Sequence, residues 1–144
     1  MKENNDVVIY VDDSPSAREV VKEGFEGSGY LLRTATGVLD LENRLLSDPD
    51  TVKKVRLFIF DFEMPYLTGT QIASAMDKVY KELQDVPFVI FSGRPKDDVH
   101  KAIEDAKKRS ESFARNYRGF IEKKKDSVAE LVARTGEILN ESSR

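Results

Sequence analysis

Apolar residues gather in short runs that alternate with stretches of helical spacing. Val7-Val8-Ile9-Tyr10-Val11 is β-branched and aromatic and is halted by Asp12-Asp13, as expected of a strand buried on both faces. Ser14-Pro15 reads as an N-cap followed by proline at the first helical position. Ala17, Val20, Val21, Gly24 and Phe25 give the helix its apolar stripe, and Gly27-Ser28-Gly29 ends it. Tyr30 to Ala35 predicts a second, weaker strand. Val38, Leu41 and Leu45 predict a second helix, closing at Ser47-Asp48-Pro49. Val55 to Phe60 is the strongest strand pattern and runs into Asp61. Thr68 and Gln71 form a capping box that opens a third helix, with Ile72, Met76, Val79 and Leu83 on one face. Val86 to Phe91 is a fourth strand, ending at Ser92-Gly93. A long helical pattern follows from about Asp97 to Tyr117, then a short strand, Gly119-Phe120-Ile121. Val128, Leu131, Val132, Ile138 and Leu139 mark a last helix.

Five alternations of strand and helix predict an α/β domain, a parallel sheet with helices on both faces. Right-handed crossovers favour the flavodoxin-like strand order 2-1-3-4-5. At 144 residues, with no linker, repeat or low-complexity tract, the chain reads as one domain, its core about residues 6–140. The net charge of −3 argues against a nucleic-acid binder. With no cysteine, neither disulfides nor thiolate metal sites are available. Met1 to Asp6 is polar and no apolar run suits a bilayer, so the expectation is a cytoplasmic protein without membrane contact.

In open α/β sheets, ligands bind beyond the carboxyl ends of the strands where the strand order reverses. With order 2-1-3-4-5 that crevice lies between the first and third strands, which end in Asp12-Asp13 and in Asp61. Three carboxylates so placed repel one another unless protonated or joined by a cation. A hard divalent ion keeping several waters, Mg²⁺ rather than Ca²⁺, suits so few protein oxygens. An aspartate beside such an ion is either a ligand or a nucleophile able to form an acyl phosphate. The transferred group then needs donors and a cation, which Ser92 and one of Lys123-Lys124-Lys125 could supply from the ends of the fourth and fifth strands. Singly, these residues have plain uses as a helix cap, a turn and a solvated face. Their joint occurrence at successive strand ends points to chemistry.

This constellation resembles the receiver domains of response regulators, over nearly the whole chain. The residues that carry the resemblance are Asp12-Asp13, Asp61 followed by Met64-Pro65 and Gly69, Ser92, Phe120, and Lys123 three positions after Phe120. The resemblance implies that Asp61 takes a phosphoryl group from a histidine kinase or histidine phosphotransfer protein. It implies Mg²⁺ held by Asp13, Asp61 and the backbone carbonyl of Glu63, with Asp12 acting mostly through water. Ser92 and Lys123 would bind phosphoryl oxygens. Phe120 would turn inward as Ser92 moves, remodelling the face of the fourth helix, fifth strand and fifth helix for a downstream protein or a second copy. Such a protein catalyses only its own phosphorylation and dephosphorylation. Glu63 and Arg94 fall where the family tunes phosphoryl lifetime; they could pair across the site mouth, the alternative being two separately solvated side chains. Where the family usually has proline, Lys124 follows Lys123, leaving the lysine register to be set by the offset from Phe120.

Two rivals are a receiver-like module that binds partners without phosphorylation, and an aspartate-nucleophile phosphatase. The first usually lacks part of the acidic set, and the second wants Asp where Glu63 stands. His100 lacks companions for a phosphodonor or metal site and reads as a surface residue. The segment from Ser92 to Lys123 is longer than the family's usual spacing. An unbroken helix over Asp97–Tyr117 would extend about 30 Å at 1.5 Å per residue and project Phe113 and Tyr117 as a contact surface. Residues 107–125 hold eight basic against two acidic side chains, which would flank it. The alternative is a break near Ser110, with the second half folded back onto the domain.

Overall fold

The structure is a computed structural model that describes residues 6–63, 68, 70–73 and 79–142. Its elements in chain order begin with β1 (Val7–Val11), α1 (Pro15–Phe25) and β2 (Leu31–Ala35). Next come α2 (Val38–Asp40), continuing as a π-helical segment (Leu41–Leu46), then α3 (Pro49–Lys54) and β3 (Val55–Phe60). A 3₁₀ turn (Lys81–Leu83), β4 (Phe88–Ser92), α4 (Lys96–Arg109), α5 (Glu111–Asn116), β5 (Tyr117–Glu122) and α6 (Ser127–Ser142) complete the chain. The strands form one parallel sheet in the order β2-β1-β3-β4-β5, as the alternation predicts.

The near-continuous apolar strands are explained by burial on both sides. Alternate residues enter opposite layers, as a period of two requires. Val7, Ile9, Val11, Phe58, Phe60, Phe88 and Ile90 pack with Leu41, Leu45, Val99, Ile103 and Phe113. Val8, Tyr10, Leu57, Ile59, Val89 and Phe91 pack with Val21 and Phe25 of α1 and with Leu131, Ile138 and Leu139 of α6. The helices of the second layer approach closely: a Cβ on Gly24 would lie 2.2 Å from Cγ1 of Val128. Both edge strands have an arginine from a neighbouring helical segment bonded to one of their carbonyls, Arg44 to Thr34 on β2 and Arg134 to Arg118 on β5.

The extended fourth helix is not formed. Ser110 takes an extended conformation (φ −137°, ψ 115°), which ends α4, and its hydroxyl accepts the Phe113 N–H at 3.1 Å to cap α5. Phe113 is then buried, its ring 4.9 Å from Phe88 and 5.8 Å from Tyr117. The apolar spacing runs through the break because both helices face the same core layer. Tyr117 opens β5, two residues earlier than the pattern suggests, with the Lys107 ammonium over its ring at 5.1 Å. Phe113 therefore serves the core and not a projecting surface.

Two smaller readings also change. Asp48-Pro49 does not merely close a helix: Asp48 caps a new one, accepting the Asp50 N–H at 3.1 Å. The capping box is formed, with Thr68 N–H donating to Gln71 Oε1 at 2.8 Å and Gln71 N–H to Thr68 Oγ1 at 3.3 Å. Ile72 and Leu83 are buried, but Val79 is 65% exposed, so the four-residue stripe does not hold together. Met76 lies outside the described residues. His100 is exposed, as read from the sequence.

Candidate functional site

The carboxyl edge of the sheet carries the candidate residues on backbone that continues the strand ladder. Asp12 N–H donates to Ala35 O (3.0 Å), Asp61 N–H to Val11 O (3.0 Å) and Lys123 N–H to Ser92 O (2.8 Å). Each side chain is thus fixed at its root by an adjacent strand end. Asp12 is also held by α1: its Oδ1 accepts the Ser14 N–H at 2.9 Å, and its backbone carbonyl accepts Arg18 Nη1 at 2.7 Å.

Asp12, Asp13 and Asp61 offer carboxylate oxygens that all lie within 4.8 Å of one another. Asp12 and Asp61 are buried and Asp13 is exposed. The Lys123 ammonium bridges the two buried members, 2.5 Å from Asp12 Oδ2 and 3.2 Å from Asp61 Oδ1. Lys124 points elsewhere, 3.7 Å from Glu122 at the surface. The offset from Phe120 therefore selects the lysine that enters the site.

Burial raises the Asp61 carboxyl to about 6, and the Asp12 charge adds to the shift, while Lys123 opposes both. One ammonium does not fully compensate the carboxylates. Additional positive charge would relieve the remaining repulsion, and the donors are all oxygen, the ligand type preferred by Mg²⁺. With bonds of about 2.1 Å, such an ion spans oxygens up to about 4.2 Å apart, so a pair at the 4.8 Å limit found here would draw in by a few tenths of an ångström or be joined through water. Asp12, Asp13 and Asp61 therefore fit a small hard cation.

Around this centre, Glu63, Thr68 and Arg94 line the same crevice. Arg94 pairs with Glu63 at 2.6 Å, so the bridge across the mouth is made. Both side chains are about half exposed, and such pairs contribute at most about 1 kcal/mol to stability. Ser92 is buried, with its Oγ accepting the Arg94 N–H at 3.2 Å. Phe120 is half-buried, paired in register with Ile90 and packed against the core layer beneath α4. It is not among the residues that line the crevice. Met64, Pro65 and Gly69 lie outside the described residues.

One polar contact was not read from the sequence. The Tyr10 hydroxyl donates to Asp12 Oδ2. The available signal was a single polar tip in an otherwise aliphatic strand, two positions before Asp12 and hence on the same side of β1.

The domain superposes on a two-component response regulator from Clostridium difficile with a TM-score of 0.73 at 14% identity, covering 97% of this chain and 100% of that one. The chain has the receiver-domain fold. A CheY-like receiver domain protein from Methanospirillum hungatei shares it at a TM-score of 0.70 and 16% identity, with 96% and 97% of the two chains covered. The response regulator TrrA of Thermotoga maritima, solved in complex with Mg²⁺-BeF, matches at 0.67 and 21% identity over 92% of this chain and 98% of that one. No family model matches the sequence, and no curated protein matches it. At these identities the receiver fold is what is shared, and the acidic cluster sits at its carboxyl edge. No helix among the described residues is long and apolar enough to cross a membrane.

Proposed function

We propose that this chain is a phosphoacceptor receiver of a two-component or phosphorelay system, with Asp61 as the acceptor. The observation that carries the proposal is the meeting of Asp61 with Asp12, Asp13 and the Lys123 ammonium at the ends of three strands. A carboxylate oxygen of Asp61 attacks phosphorus, the bond from phosphorus to the donor breaks, and an acyl phosphate forms. The donor is a histidine kinase or a histidine phosphotransfer protein. Mg²⁺, held by Asp13 and Asp61 with the Glu63 carbonyl and with Asp12 mostly through water, would neutralise charge on the phosphoryl oxygens. Lys123 pairs with one phosphoryl oxygen and the Ser92 hydroxyl donates to another. Glu63 and Arg94, bridged at the mouth, govern how readily water reaches the acyl phosphate. Hydrolysis returns Asp61 to its starting state, so the only reaction is on the protein itself.

The output follows from Ser92. Its movement toward the phosphoryl group vacates space for Phe120, and the face of α4, β5 and α6 changes for a downstream protein or a second copy. Intact-mass measurement after treatment with a small-molecule phosphodonor tests the acceptor. One phosphoryl addition is expected, dependent on Mg²⁺ and absent in Asp61→Asn. Labelling that survives this substitution refutes the assignment. Turnover of a generic phosphomonoester would instead indicate a phosphatase.

A further inference from the structure

We infer that the Tyr10 hydroxyl is a positioning group for this site: it fixes the Asp12 carboxylate, and through it the Lys123 ammonium and the cation-binding oxygens. The inference rests on the reading that the three aspartates hold Mg²⁺.

Tyr10 is completely buried in the layer facing α1 and α6, with its ring edge-on to Phe91 at 6.1 Å. A phenylalanine ring would occupy the same apolar slot. A hydroxyl buried there needs a partner, since an unpaired one is destabilising. Its partner is Asp12 Oδ2.

The Asp12 carboxylate thereby receives donors from three directions. Tyr10 and Lys123 meet Oδ2, and the Ser14 N–H meets Oδ1. These come from β1, from the end of β5 and from the cap of α1, so rotation of the carboxylate breaks at least one bond whichever way it turns. Phe91, the ring that Tyr10 touches, also lies under the Lys123 ammonium at 5.7 Å. Tyr10 thus contacts both the carboxylate and the ring that frame Lys123. Removing its hydroxyl leaves Oδ2 with Lys123 alone and lets the two move together.

Groups that orient residues at a metal site typically change its affinity 10–100-fold when removed. Mg²⁺ titrated calorimetrically into Tyr10→Phe is therefore expected to bind about tenfold or more weakly than into the wild type. The rate of phosphorylation at saturating Mg²⁺ should change far less than the Mg²⁺ concentration needed for half of it. In an Asp12→Ala background the same Tyr10 substitution should alter affinity less than about twofold, because the side chain through which it acts is gone. Equal losses in both backgrounds, or unchanged affinity in Tyr10→Phe beside a wild type that binds, would overturn the positioning role alone. A wild type that binds no Mg²⁺ would overturn the underlying reading and the inference with it. Thermal unfolding in chelator checks that Tyr10→Phe folds. If it does not, the wild-type hydroxyl proton decides: a slowly exchanging downfield resonance is expected, shifting with Mg²⁺ saturation. A resonance unmoved at saturation would overturn the inference.

Discussion

Replacing Asp61 by asparagine should make the cation-free protein more stable, by an amount that depends on pH. The Asp61 carboxyl titrates at about 6 in the folded protein against 3.8 for an unperturbed aspartate, through burial first and the Asp12 charge second. A folded-state value above the unfolded one means that this group's contribution is fully present below 3.8 and lost as pH rises through about 6. The difference of about 2 units, at 1.36 kcal/mol each, amounts to about 3 kcal/mol lost by pH 8. The side chain is only 8% exposed, so solvent screening discounts little of this. Asparagine keeps an acceptor for Lys123 without the charge. Urea unfolding of wild type and Asp61→Asn in chelator, across pH 4 to 8, reads Asp61 together with its coupling to Asp12 and Asp13, because carboxylates remote from it cancel in the difference. The variant's midpoint should lie about 1–3 M higher at pH 8, given slopes of about 1–3 kcal/mol/M, and the gap should close toward pH 4. A variant no more stable than wild type at pH 8, or a gap independent of pH, would refute the argument that burial and Asp12 strain this carboxylate.

Further predictions concern packing and register. Gly24→Ala should destabilise by about 1–3 kcal/mol despite the better helix propensity of alanine, because its Cβ meets Val128; Val128→Ala in the same chain should recover most of the loss in denaturant titration. Phe113→Ala should lower stability by about 3–5 kcal/mol, and Phe113→Asp should unfold the chain rather than merely disperse an oligomer, as sedimentation with circular dichroism would show. Lys123→Ala should abolish phosphodonor labelling while Lys124→Ala leaves it intact, since only Lys123 reaches Asp61; the reverse result would place the lysine register one residue out.

Much of this arrangement is legible in the sequence because the strands are short, apolar and abruptly terminated. Val7 to Val11 and Val55 to Phe60 each stop at an aspartate, so strand order alone brings those aspartates together. The register of Lys123 could likewise be read from its distance to Phe120. The break at Ser110 could not be chosen from periodicity, because Ile103, Ala106 and Phe113 face one layer on both sides of it. What decides it is tertiary: the aromatic site between Phe88 and Tyr117 is filled only if the chain turns. The Tyr10 contact stayed hidden for a related reason. A tyrosine in a core strand reads as apolar bulk, and the direction of its hydroxyl depends on where Asp12 is held.

The two helical arginines bonded to the outer strands bear on how this sheet avoids growing. A parallel sheet ends on each side in a row of backbone groups able to accept another strand, and such rows seed assembly between chains. Arg44 on one side and Arg134 on the other each engage a carbonyl of the edge strand. An incoming strand would have to displace a guanidinium and bring its own backbone against a positive charge. Sheet extension is thereby opposed at both borders.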